Sequence, residues 1–130
     1  VPISLAGLAP VQDEVEARVV AQGVPRHAAL RLRLVIEELV ANLVEHAAWT
    51  NGPVPARLEV SWQDGALAAA LEDAARAFDP RQAPAPPVPR LDDDRLGGQG
   101  LALVRRMTDG LRYLRIADGW NRTEFTVRLA

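Results

Sequence analysis

The stretch from Leu32 to Ala48, LRLVIEELVANLVEHAA, constrains the fold of this chain more than any other. Leu32, Val35, Ile36, Leu39, Leu43 and Ala47 recur at steps of three and four, the spacing of a stripe buried along an α-helix. Glu38, Asn42 and His46 fall four apart and form a second, polar line on the same helix. A carboxylate, an amide and an imidazole beside an apolar stripe predict a helix that walls a cleft. The glycine cluster Gly97, Gly98, Gly100 and the acidic pair Glu72-Asp73 are candidates for the rest of that cleft.

Composition narrows the chemistry. All 15 basic residues are arginines, so sites that need a lysine, such as a P-loop or a Schiff base, are excluded. Cysteine is absent, which removes disulfides, thiol nucleophiles and thiolate metal sites. The net charge of -2 gives no reason to expect a nucleic-acid backbone as partner. At 130 residues the chain is long enough for one domain with one core. No apolar run approaches the roughly 18 residues of a membrane span, and no basic, apolar leader is visible. A cytoplasmic protein without membrane contact is expected.

Taken in order, Val1 to Leu5 reads as the tail of a strand. Pro10 suits the first turn of a helix running to about Ala21, with Val11, Val15, Val19 and Val20 on its apolar side. Gly23 breaks it, and Pro25 opens the central helix, which is expected to end near Trp49. Leu58, Val60 and Trp62 alternate with polar residues, which predicts a strand with one wet face. Asp64-Gly65 turns the chain into a return strand through Leu67, Ala69 and Leu71. Pro80 to Pro89 holds five prolines in ten residues and predicts an extended loop, followed by Asp92, Asp93 and Asp94. A short helix from Leu101 to about Thr108 follows the glycines. Two strands, Leu111 to Ile116 and through Phe125, Val127 and Leu129, close the chain around an Asp118-Gly119 turn. The predicted architecture is a two-layer α/β sandwich, with helices on one face of a mostly antiparallel sheet.

The candidate residues have distinct chemistries. Asn42 offers a hard oxygen ligand of the kind that holds a partly hydrated Mg2+. Glu38, one turn away, suits orienting or deprotonating a hydroxyl. His46 fits either a ligand or a half-buried hydrogen-bonding residue. Asp73, at a strand end, suits an amino group as donor or a simple turn. The amides of Gly98, Gln99, Gly100 and Leu101 would face an anion at a helix's positive end, unless the glycines form a plain turn.

In combination these residues resemble a known family. Glu38-x-x-x-Asn42-x-x-x-His46 is similar to the N-box of the GHKL (Bergerat-fold) ATPases. Asp73 to Pro80, DAARAFDP, resembles the DxGxxFDP box of the anti-sigma factor serine/threonine kinase branch. Gly97 to Leu101, then Leu103 to Asp109 and Tyr113, resembles its GGxGLxLVRxxxDxxxY segment. The resemblance covers nearly the whole chain and implies a single histidine-kinase-like ATPase domain over residues 1–130. It implies ATP and Mg2+ as cofactors, with Asn42 on the metal and Glu38 assisting phosphoryl transfer. Asp73 would read the adenine amino group, with Ala75, Phe78 and His46 around the nucleotide. Gly98, Gln99, Gly100 and Leu101 would wrap the phosphates, and Arg90 or Arg95 would reach the γ-phosphate. The implied partners are a sigma factor or related regulator and a STAS-domain antagonist that is phosphorylated. The resemblance, with Val11, Val15 and Val19 turned partly outward, also implies a homodimer.

One departure stands out: Ala75 occupies the position of the family's glycine, where a bare backbone comes close to the base. With the proline-rich loop and its acidic run Asp92 to Asp94, expected to cover the site and to repel a triphosphate, this supports a second possibility, a protein-binding module on the same fold that has lost catalysis and nucleotide. A histidine-kinase ATP domain is a third and weaker fit, since no phosphoacceptor helical pair precedes the boxes.

Overall fold

The computed structural model describes residues 1–50, 52–63, 65–76 and 96–129, with the backbone alone for 96–101. The chain runs α1 (Leu5–Ala21), α2 (Arg26–His46), β1 (Arg57–Gln63), β2 (Ala66–Asp73), α3 (Leu96–Met107), β3 (Asp109–Arg115) and β4 (Asn121–Arg128).

α1 starts earlier than Pro10 suggests. Ser4 caps it, its hydroxyl accepting from the Gly7 N–H at 3.0 Å. Pro10 therefore lies in the second turn, where it has no N–H to give the Ala6 carbonyl. Both residues are exposed, so water can take that carbonyl. The buried side is Leu8, Gln12 and Val19, with Val15 half-buried and Val20 exposed. Gln12 is tolerated in this stripe because its Nε2 donates to the Arg33 carbonyl of α2 at 2.7 Å. Arg33 in turn reaches Asp13 at 2.7 Å and Glu16 at 3.2 Å, which fastens the two helices at the surface. The expected strand before α1 reduces to one residue: Val1 and Ala56 exchange both backbone hydrogen bonds, each at 2.8 Å.

Pro25 is the N-cap of α2, as its fixed φ allows. The helix buries Ala28, Ala29, Leu32, Val35, Ile36, Leu39, Val40 and Asn42. It stops at His46, three residues before Trp49, because Ala47 turns to an extended conformation.

The four strands form one antiparallel sheet in the order β1-β2-β4-β3. Two hairpins, β1-β2 and β3-β4, thus meet where β2 pairs with β4. Gly65 takes φ +82° in the first hairpin's turn; Asp64 lies outside the described residues. The three α-helices of the described residues belong to one layer, with α1 and α3 both packed on α2. Leu67, Ala69 and Leu71 of β2 and Phe125 and Val127 of β4 meet the α2 stripe in the core. The opposite face of the sheet is ionic. Arg122 of β4 contacts Glu72, Glu124 and Glu59, at 3.0, 3.0 and 3.1 Å. No helix of the described residues is long and apolar enough to cross a membrane.

Candidate functional site

The β2–β4 register positions the site. Asp73, the last residue of β2, pairs directly with Asn121, the first of β4. Counting back by twos from Val127 through Phe125 and Thr123 places Asn121 on the helix-facing side. Glu72 points the other way, into the ionic face, so only Asp73 of the acidic pair joins the cleft.

The cleft lies between the C-terminal half of α2 and the ends of β2 and β4. Asn42 and His46 line one wall; Asp73, Ala75 and Arg76 line the other, with Asn121 and Thr123 beneath. Its free volume is about 30 Å3, room for one or two waters. The Arg76 N–H donates to the Ala48 carbonyl at 2.8 Å and ties one wall to the other.

Asp73 is buried and its two oxygens are used unequally. Oδ1 accepts from the Ala75 N–H at 3.0 Å and from Asn121 Nδ2 at 2.8 Å. Oδ2 has no hydrogen-bond partner among the described residues. Burial pushes the carboxyl's pKa up; the donors from Asn121 and Ala75 and the Arg115 charge pull it back down. Asn42 is also buried, at 8% exposure, and its side-chain amide has no hydrogen-bond partner among the described residues. A buried amide without a partner is costly, so its place in the cleft wall suits a ligand. Its carbonyl oxygen is a donor atom that Mg2+ accepts. No three acidic or imidazole side chains converge among the described residues. A divalent ion here would therefore draw most of its ligands from water and phosphate oxygens.

His46 is exposed and lies 3.5 Å from Glu45, at the rim of the cleft rather than half-buried within it. Glu38 does not line the cleft. It is half-buried, one turn from Asn42, and has no hydrogen bond or ion pair among the described residues. Burial, then the charges of Glu37 and Glu45, raise its pKa. Ala75 is buried and lines the cleft at negative φ, so its Cβ takes up space without straining the backbone.

The glycine segment differs from expectation. Helix α3 begins at Leu96, ahead of the glycines. Gly98 stays in the first turn, where N–H groups lack helical acceptors, and Gln99 sits at its boundary. Gly100 and Leu101 lie deeper, and their N–H groups belong to the helix ladder. Phe78, Arg90 and Arg95 lie outside the described residues.

Asn121 was absent from the sequence-based candidates, and so was Thr123. Neither stands in a recognisable box. The alternation of β4 carried the only signal, and it needed the strand's start to be placed four residues before Phe125.

Comparison with known proteins bears on the fold and the family. A family model described as the histidine kinase-like ATPase domain matches residues 1–127. The serine/threonine-protein kinase BtrW of Bordetella bronchiseptica is 36% identical over 96 residues, covering 73% of this chain and 67% of that protein. Among solved structures, the histidine kinase domain of a blue-light activated histidine kinase from Erythrobacter litoralis superposes with a TM-score of 0.54. It is 18% identical, and the match covers 99% of this chain and 62% of that one, a likeness of fold alone. With the helix layer, the antiparallel sheet and the family match over nearly its whole length, this chain belongs to the histidine kinase-like ATPase domain family.

Proposed function

We propose that this chain binds ATP with Mg2+ in the cleft between α2 and the end of β2. In this reading it transfers a phosphoryl group to a serine or threonine of a STAS-domain antagonist, in a system that also sequesters a sigma factor or related regulator. One observation carries the nucleotide part. Asp73, a buried carboxylate with one oxygen unpaired among the described residues, and Asn42, a buried amide without a partner among them, line the same cleft. Asp73 Oδ2 suits the amino group of adenine, and Asn42 Oδ1 suits the metal. Mg2+, when bound, offsets phosphate charge. Glu38, half-buried with raised proton affinity, suits holding the proton of an incoming hydroxyl. Kinase activity is supported by the Bordetella relative, which bears the name of a serine/threonine-protein kinase. The STAS and sigma partners rest on the resemblance of the sequence boxes.

Calorimetric titration with ATP, with and without Mg2+, tests the binding. Absence of heat with millimolar nucleotide and folded protein removes it. Radiolabel transfer to the cognate antagonist tests the kinase. A second reading, a binding module without catalysis, is favoured by Ala75 and the narrow cleft. Partner capture without label transfer would select it.

The proposal includes a homodimer. Val11 and Val15 of α1 line an apolar groove with Leu58, Val60 and Trp62 of edge strand β1, a surface open to a second copy. Light scattering that returns the 14.1 kDa monomer at high concentration would reject it.

A further inference from the structure

Asn121 carries an unusual load for a side chain outside every sequence box. It is 2% exposed and makes four hydrogen bonds. Its Nδ2 donates to Asp73 Oδ1 and to the Ala75 carbonyl, both at 2.8 Å. Its Oδ1 accepts from the Tyr113 hydroxyl and from Arg115 Nη1, the latter at 2.7 Å. The amide has only one workable orientation. Arg115 can only donate, so Oδ1 must face it. A flipped amide would set its oxygen against two acceptors, the Asp73 carboxylate and the Ala75 carbonyl.

The segment from Asp73 to Ala75 is thus clamped by one residue at both side chain and main chain. Any rotation of the Asp73 carboxylate would break the bond to Asn121 and the bond from the Ala75 N–H. We propose that Asn121 is a positioning residue for base selection, holding Asp73 with Oδ2 free and acceptor-only, so that the site takes an amino edge and rejects a keto edge. The inference rests on the nucleotide reading above and adds the residue that sets its selectivity. Burial opposes ionisation of Asp73, and Asn121 and Arg115 both work against that effect.

The test uses the full chain and titrates ATP and ITP, whose base carries a keto group in place of the amino group. Wild type should prefer ATP. Asn121→Asp replaces the donor to Asp73 Oδ1 with a carboxylate, so the two acids must share a proton or Asp73 must turn away, and Oδ2 is no longer held as a fixed acceptor. The ATP-over-ITP ratio should fall roughly 10- to 100-fold, the worth of one charge-assisted hydrogen bond.

Arg115→Met is the second variant, for the case in which the buried change prevents folding. Arg115 is exposed, so its loss should spare the fold. It removes the donor that fixes the amide and a charge near Asp73. The acid limb of ATP binding should move to higher pH, and the ATP-over-ITP ratio should fall. Tyr113 from β3, His46 from α2 and Arg76 after β2 face the same region and are common to both proteins. The difference between their profiles therefore isolates Asp73. If wild type binds ATP and the folded variants keep its ratio and its acid limb, the role of Asn121 is overturned. If wild type binds neither nucleotide, the nucleotide reading fails first and this inference falls with it.

Discussion

The main-chain N–H of Arg76 donates to the carbonyl of Ala48 at 2.8 Å, joining the segment after β2 to the segment after α2. Three residues before Arg76, Asp73 Oδ1 holds the Ala75 N–H at 3.0 Å. Ala75 is therefore pinned on both sides, and its backbone cannot retreat to widen the cleft. Widening falls to the exposed side chains of His46 and Arg76.

Ala75→Gly should raise ATP affinity, because it deletes the methyl that the pinned backbone presents to the cleft. Stability should drop by about 0.4–1 kcal/mol from the added freedom of the unfolded chain. Calorimetry with ATP beside a denaturant melt checks both. Unchanged affinity would show that the methyl does not limit the site.

Asn42→Ala removes a buried amide that has no partner among the described residues, so the folded protein should keep its stability or gain slightly. The Mg2+-dependent part of ATP binding should fall, since a metal held in the proposed site would lose the one side-chain oxygen that α2 offers it among the described residues. Comparing titrations with Mg2+ and with EDTA separates the two contributions. A variant whose Mg2+ dependence equals wild type would take Asn42 out of the metal site.

Glu38→Gln separates catalysis from binding. Phosphoryl transfer should fall by roughly 10^2-fold or more, the scale of positioned acid–base help. ATP affinity should change little. The stability effect has a definite sign. A carboxyl with a raised folded pKa disfavours the fold once ionised, so its penalty grows as pH rises through the ordinary glutamate range to the folded value. At pH 7 the glutamine variant should be the more stable protein, and below that range the difference should vanish. Equal melting curves at both pH values would contradict the half-buried placement of Glu38, unpaired among the described residues.

Arg122→Ala withdraws one guanidinium from Glu59, Glu72 and Glu124 on three adjacent strands. Glu72 has a side chain only 10% exposed and, among the described residues, would keep only Arg57, at 3.5 Å. A loss of roughly 1–3 kcal/mol is expected, reduced by salt because the other two carboxylates face water. Urea titration at low and high ionic strength measures it.

The legible parts of this fold are those written in short-range pattern. Leu32, Val35, Ile36 and Leu39 marked α2 because helical spacing is local, and Gly65 with the alternation of β1 marked the first hairpin. The start of α1 was misread because Pro10 carries a strong first-turn preference, whereas Ser4 acts through a single hydrogen bond to Gly7. Asn42, His46, Asp73 and Ala75 do meet in one cleft. Asn121 was invisible because its partner Asp73 lies 48 residues away, and only the pairing of the two hairpins makes them neighbours.

That pairing also orders events in time. Each hairpin is a short-range unit that can close early, while contact between β2 and β4 must wait for the intervening chain to be brought round. Asp73 comes from the first unit and Asn121 from the second, so neither half of the chain possesses the cleft by itself. Amides at this junction should be among the last to become protected from solvent exchange during refolding. A ligand held there would act as a late lock, slowing unfolding while leaving the first steps of folding unchanged.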